Sequence, residues 1–251
     1  MPFETNSPYK HDVFTVKQYG ENHLKITYCK TLRESGWEDE RKQSQRGTVN
    51  DVKLDNNLSR AKSTVQELAM CNSWDYWCTF TINPEKYDRM NLKAYFKDFA
   101  EFIHNYNRRS SENEKVKYLL VPEQHKDGAW HLHGFIKGIR KKDLYKNSYG
   151  YLTWKQYEKK FGFISIDKLK DKERASSYVL KYMTKDSDKN VTELNANLYY
   201  CSKGLERAKE LYRGNALFCG EWDWEQPEGY VKIKNIDTRV DDIHNYLELE
   251  V

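Results

Sequence analysis

Apolar and polar positions alternate along this chain with two different periods, and the changes from one to the other mark out its elements. Val13 to Tyr19 and Leu24 to Tyr28 alternate residue by residue, which predicts a hairpin around Gly20-Glu21-Asn22. Glu34 to Asn57 is mostly polar and reads as a loop or linker. From Ser59 the period lengthens: Ala61, Val65, Leu68 and Ala69 recur at helical spacing through Met70. Trp74 to Ile82 is rich in aromatic and β-branched residues, as a strand requires, and Asn83-Pro84 ends it because proline cannot donate to a ladder. Leu92, Tyr95, Phe96, Phe99, Phe102 and Ile103 then predict an amphipathic helix reaching Asn107. Arg108 to Lys115 is a polar loop. Tyr118 to Glu123 is a strand, His125-Lys126-Asp127-Gly128 a turn, and Trp130 to Lys137 its hairpin partner. Trp154 to Phe161 predicts a short helix stopped by Gly162, Phe163 to Ile166 a strand, and Asp171 to Lys185 a helix capped by Asp171. Ala208 to Tyr212 reads as helical. From Trp222 onward the chain reads as a polar tail with two aromatic anchors, Trp222 and Trp224.

Hairpin-linked strands with helices able to cover them argue for an α+β fold with a mostly antiparallel central sheet and helices packed on it. The pattern divides the chain into an N-terminal extension of hairpin plus linker (1–58), one catalytic domain (59–215) and a C-terminal tail (216–251). With 251 residues, 38% of them hydrophobic, there is material for one sizeable core, and no repeat or low-complexity tract points to an array or a disordered protein. Five scattered cysteines (Cys29, Cys71, Cys78, Cys201 and Cys219), with no CxxC pair, exclude a zinc ribbon and fit a reducing cytosol. The start lacks a basic region followed by an apolar run, and no apolar stretch approaches the length of a membrane span, so a cytoplasmic protein is expected. A net charge of +4 does not announce a nucleic-acid binder by itself. Arg140-Lys141-Lys142, Lys159-Lys160 and Lys168/Lys170/Lys172 are more suggestive, and so is an aromatic content of 14%.

The chemistry concentrates in two places. In Trp130-His131-Leu132-His133-Gly134-Phe135 the two histidines are one residue apart on a strand and point to the same face. The hairpin brings Glu123 opposite them, so Glu123, His131 and His133 offer one carboxylate oxygen and two imidazole nitrogens to one ion. Mixed nitrogen and oxygen ligation favours Mn2+ or Mg2+ over structural zinc. His125 shares the strand parity of Glu123 and is a rival ligand.

The second place is Tyr178-Val179-Leu180-Lys181-Tyr182. With about 100° between successive helical side chains, Tyr178, Tyr182, Arg174, Lys181 and Lys185 share one stripe, while Val179, Leu180 and Met183 lie on the far side. A free phenol has a pKa of about 10, so it needs help to act as a nucleophile at neutral pH. Lys181 beside the phenols and a divalent ion on the target phosphate would supply it. Arg174 and Lys185 are placed to position backbone phosphates.

Phe80-Thr81-Ile82-Asn83, then Glu123 with His131-Leu132-His133, then Tyr178-Val179-Leu180-Lys181-Tyr182 resembles the three ordered motifs of the HUH endonucleases. These are the rolling-circle replication initiators of small phages and plasmids. The paired tyrosines around a lysine are similar to the two-tyrosine branch, that of the replication gene A proteins of single-stranded DNA phages. The resemblance covers residues 59–215 and includes Arg60-Ala61-Lys62 and Tyr199-Tyr200-Cys201-Ser202-Lys203-Gly204, which adds Arg60, Lys62 and Lys203 to the candidate DNA-binding residues. It implies a Rep-type nuclease domain, related to the ferredoxin-like folds, that nicks single-stranded origin DNA. One tyrosine becomes joined to the 5′ phosphate and a 3′ hydroxyl is freed as primer; the second tyrosine serves the later strand transfer. No G-x-x-x-x-G-K-[ST] loop occurs, so unwinding is expected from a host helicase; a host polymerase extending the primer and a monomeric protein are the further expectations. Two other readings use the same residues: a two-tyrosine single-strand transposase, and a non-catalytic nucleic-acid-binding module whose histidines merely pack.

Overall fold

The N-terminal alternating run folds as β1 (Tyr9–Tyr19), turns through Gly20, and returns as β2 (His23–Arg33). There follow α1 (Asp51–Cys71), β3 (Tyr76–Thr81), α2 (Leu92–Asn107), β4 (Lys117–Gln124) and β5 (Trp130–Lys137). After a 3-10 turn at Lys141–Asp143 come β6 (Leu144–Lys146), β7 (Leu152–Trp154), α3 (Lys155–Lys160), β8 (Ile164–Lys168) and α4 (Lys172–Thr184). The remaining strands are β9 (Tyr200–Cys201), β10 (Lys209–Gly214), β11 (Ala216–Phe218), β12 (Glu225–Glu228), β13 (Val231–Asp237) and β14 (Leu247–Leu249). This computed structural model describes residues 9–33, 51–111, 114–184, 197–218, 225–228, 231–240, 242 and 247–249, the backbone alone at 33, 51–56, 184, 216–218, 227–228 and 247–249. The architecture is α+β, with two large antiparallel sheets and four helices among the described residues.

The chain forms two compact units. Residues 47–206 hold a seven-stranded sheet in the order β6-β7-β8-β3-β5-β4-β9. Its two faces carry different cores. Cys78, Phe80, Leu120, Leu132, Ile136, Ile164 and Ile166 point to one side, where Tyr95, Phe99 and Ile103 of α2 and Tyr157 of α3 cover them. Leu119, Val121 and Phe135 point to the other, under Ala61, Val65 and Leu68 of α1 and Val179 and Met183 of α4. With helices on both faces, β4 is buried at six consecutive positions, which is why Leu119, Leu120 and Val121 read as an unbroken apolar run.

Residues 1–46 and 207–251 form the other unit, a five-stranded sheet in the order β10-β1-β2-β13-β12. Its core is Phe14, Val16, Leu24, Ile26 and Ile236, with Tyr28 and Tyr212 packed against it. The termini are thus not an extension and a tail: β13 pairs with β2 from Val231–Cys29 to Asp237–His23, joining both ends of the chain in one sheet. The expected helix over 208–212 is strand β10, paired with β1, because a partner strand remote in sequence outweighs local propensity. Helix α1 begins inside the stretch read as linker; Leu54 and Leu58 extend the spacing of Ala61 and Val65 backwards, hidden among polar residues. Trp222 and Trp224 lie outside the described residues.

Two glycines permit close approaches that frame the site. Gly134 sits in the middle of β5 at φ +153°, and a Cβ there would fall 2.1 Å from the Leu119 carbonyl oxygen of β4. Gly162, at φ +143°, lets the end of α3 close on Asn83, whose N–H donates to Phe161 O at 2.9 Å. Gly134→Ala is expected to cost on the order of 3 kcal/mol, since the obstacle is backbone and cannot rotate away. A lowered urea midpoint with an unchanged slope is the measurement that checks it.

Candidate active site

Strand pairing carries the histidines and the carboxylate to one place. Glu123 stands opposite His131 and Val121 opposite His133 across β4 and β5, while Thr79 and Thr81 of β3 stand opposite His133 and His131 on the other side. All these side chains share the sheet face on which α4 packs. The sequence expectation that a two-residue period puts both imidazoles on one face with the carboxylate agrees with this register.

The contacts are unequal. His133 Nε2 lies 2.8 Å from Glu123 Oε2, and both side chains are almost fully buried. His131 is the outlying imidazole: its ring centroid is 6.3 Å from that of His133, and it stacks on His125 at 3.9 Å. His125 Nε2 is itself 3.8 Å from Glu123 Oε2, so the rival ligand is present in the same cluster. Among the described residues, Glu123, His131 and His133 do not bring one ligand atom each within 4.8 Å of one another. Glu123 and His133 form the close pair, and His131 and His125 flank it.

Threonines hold the rings. Thr79 Oγ1 is 3.1 Å from His133 Nδ1, and Thr81 Oγ1 is 3.4 Å from His131 Nδ1. With Nδ1 donating to Thr79, Nε2 of His133 keeps a free lone pair beside Glu123, and this buried nitrogen makes no hydrogen bond to the carboxylate despite the 2.8 Å approach. A buried imidazole nitrogen this close to a carboxylate oxygen, with no hydrogen bond between them, leaves a place for a cation. The orphaned nitrogen and the mixed donor set therefore fit a divalent ion. Desolvation pushes the His133 pKa down to about 4 against the opposing pull of Glu123, and desolvation also lowers that of His131. Both imidazoles are thus neutral at pH 7, the form that ligates a metal. Thr79→Val releases the His133 ring and is expected to weaken Mn2+ binding about tenfold or more, read by calorimetric titration.

Helix α4 brings the phenols to the same point. Asp171 accepts from Arg174 N at 2.9 Å and starts the helix as its cap. Val179 and Met183 are buried and anchor one face, which leaves Tyr178 44% exposed and Tyr182 half-buried on the other. The Tyr182 ring stacks on His133, with centroids 4.0 Å apart and planes 12° apart. Its hydroxyl donates to Tyr178 Oη at 2.8 Å. Burial first, and then that hydrogen bond, push the Tyr182 pKa upward, with a further contribution from the charge of Glu123. Lys181 Nζ lies 5.4 Å from the centre of the Tyr178 ring.

Three participants went unread in the sequence: Thr79, Thr81 and Trp77. Trp77 packs against Tyr178 at 5.4 Å, Tyr182 at 6.1 Å and Phe135 at 5.3 Å, so the indole fixes both phenols from below. Its parity with Thr79 and Thr81, opposite to that of Cys78 and Phe80, is the signal that would have found all three. Of the candidate DNA-binding residues, Arg60 on α1, Arg174 on α4 and Lys203 after β9 are exposed, and Lys62 is half-buried. They lie on helix and loop surfaces rather than in the histidine row. Lys185 lies outside the described residues.

Residues 75–187 match the family described as replication-associated protein ORF2/G2P. The matched segment runs from the start of β3 past the end of α4 and contains Glu123, both strand histidines and both tyrosines. This similarity supports a replication-associated role of the Rep-like initiator kind. No curated protein and no solved structure matches the chain. Among the described residues, no helix is long and apolar enough to cross a membrane.

Proposed function

We propose that this protein is a metal-dependent nickase and strand-transferase of the HUH, two-tyrosine type, which starts rolling-circle replication on single-stranded origin DNA in the cytoplasm. The observation that carries the reading is the unbroken contact chain from Glu123 to His133, from the His133 ring to Tyr182, and from the Tyr182 hydroxyl to Tyr178. A non-catalytic binding module has no use for an orphaned buried imidazole nitrogen stacked under a phenol pair.

Glu123 and His133, with His131 or His125 as third donor, would hold Mn2+ or Mg2+, which when bound polarises the scissile phosphate and absorbs charge on its oxygens. The rest of the chemistry belongs to the chain. Tyr178, the more exposed phenol, attacks phosphorus. A new O–P bond forms and the bond to the 3′ oxygen breaks; the phenol proton passes to solvent, and the leaving oxygen takes a proton from solvent to become the 3′ hydroxyl. The Tyr182 hydroxyl, donating to Tyr178 Oη, stabilises negative charge there as the proton leaves. Lys181 over the Tyr178 ring adds positive potential to the same atom. The 5′-phosphotyrosyl link keeps the energy of the broken bond, so once Tyr182 has cut the regenerated origin the 3′ hydroxyl it frees displaces the Tyr178 phenol and reseals the strand without a nucleotide. Unwinding and extension then fall to a host helicase and polymerase.

The test is incubation with a randomised single-stranded oligonucleotide pool and Mn2+. A denaturant-resistant protein–DNA adduct enriched in one sequence, with its tyrosine located by mass spectrometry, is the expected product. Cleavage without any covalent product would show activated water as the nucleophile and overturn the reading.

A further inference from the structure

The described surface of residues 47–206 concentrates its exposed rings at one edge of the seven-stranded sheet. Tyr149 is 84% exposed, Tyr151 57% and Phe163 37%, and Tyr151 and Phe163 meet edge to face at 6.3 Å. Burying them would have been the ordinary fate of such side chains.

The hairpin that presents them is ordered. Asn147 Oδ1 accepts from the N–H groups of Tyr149 and Tyr151, each at 3.0 Å, and Asn147 and Tyr151 are joined again by Asn147 N donating to Tyr151 O at 2.9 Å. Gly150, at φ +83°, completes the turn. The β6–β7 connection thus holds two tyrosine rings out into solvent at little further entropic cost on binding.

The same stretch of chain is basic. From Arg140 to Lys160 the chain carries seven basic side chains against two acidic ones, a larger positive excess than the +4 of the whole protein. Lys141, Lys142, Lys146, Lys155, Lys159 and Lys160 are all exposed. Exposed aromatic faces on a basic stretch of chain suit a single strand of nucleic acid, whose bases stack on them.

The edge is also continuous with the histidine row. Phe163 precedes Ile164 and so takes the opposite parity to Ile164 and Ile166, which places it on the sheet face that carries His131. Thr81 links the two, opposite His131 on one side and donating its N–H to Phe163 O at 2.9 Å on the other. That separation is two strand spacings, about 10 Å.

We infer that Tyr149, Tyr151 and Phe163 form a stacking platform for single-stranded DNA flanking the phosphodiester that reacts at the histidine row. The inference rests on the proposed nicking function for the identity of the strand. Its test does not.

Binding of the full chain to a fluorescein-labelled single-stranded oligonucleotide of about 20 nucleotides, longer than the span of one such site, is measured by anisotropy in EDTA. Tyr149→Ala/Tyr151→Ala is expected to weaken binding about ten- to a hundredfold with the salt dependence unchanged, while Tyr149→Phe/Tyr151→Phe retains it. A 2-aminopurine base within the oligonucleotide is quenched by the wild type and not by the alanine variant. Undiminished binding by the alanine variant, equal losses for duplex and single strand, or a change confined to self-association overturns the platform. Platform-dependent binding by a wild type that forms no adduct supports the platform and removes the nicking reading; adduct formation with undiminished binding does the reverse.

Discussion

Tyr178→Phe/Tyr182→Phe is expected to lower covalent adduct formation by at least about a thousandfold, because no other phenol stands in the stripe that faces His133. The fold should survive: Tyr178 is largely exposed, and a phenylalanine at 182 keeps the stack on His133 and the contact with Trp77. The single variants separate the two roles. Tyr178→Phe removes the attacking oxygen and should match the double variant in the first cleavage. Tyr182→Phe removes only the hydroxyl that donates to Tyr178, so first cleavage should fall about tenfold, the worth of one hydrogen bond to a charged acceptor. Resealing of the displaced strand should be lost. Gel quantification of adduct and of circularised product, with unchanged circular dichroism, decides between these outcomes. An adduct undiminished in the double variant removes tyrosine as the nucleophile.

The second large effect concerns the close pair. Glu123→Gln keeps the shape of the side chain and removes its charge, and His133→Ala removes the orphaned nitrogen together with the surface on which Tyr182 stacks. Each is expected to reduce Mn2+-dependent adduct formation at least about a hundredfold. A readout independent of activity accompanies this. Mn2+ at about a hundred times its dissociation constant stabilises a protein that binds it only when folded by about 2.7 kcal/mol, so the wild type should show a clear rise in Tm that both variants lack. His131→Ala and His125→Ala then identify the third donor, since only one of them should abolish the shift. A variant of Glu123 that retains both the shift and the adduct would remove the carboxylate from the site.

Much of the site was legible before any tertiary structure. The strand parity of His131 and His133, the hairpin that returns Glu123, and the rotation that separates Tyr178 and Tyr182 from Val179 and Met183 all follow from periods of two and 3.6 residues. The matched segment, 75–187, is also where these patterns are strongest. Legibility failed where a residue's role depends on a distant partner. Trp77 was only one aromatic of a strand, because nothing local says that α4 will lie over it. His131 looked equivalent to His133, yet one is stacked on His125 and the other is pressed against Glu123. Lys209 to Gly214 became a strand because β1 was there to receive it.

The sequence by itself determined the order of most elements in residues 59–184, which face each side chain takes on its own strand or helix, and which residue types are available for ligation and attack. Tertiary structure decided that α4 packs on the histidine face rather than the opposite one, that Thr79 and Thr81 hold the rings, and that the two ends of the chain share one sheet. The division has a single physical cause. Periodicity is enforced within a few residues by backbone geometry, whereas the choice of pairing partner and packing face is made by burying apolar surface between segments far apart along the chain, as β2 and β13 are.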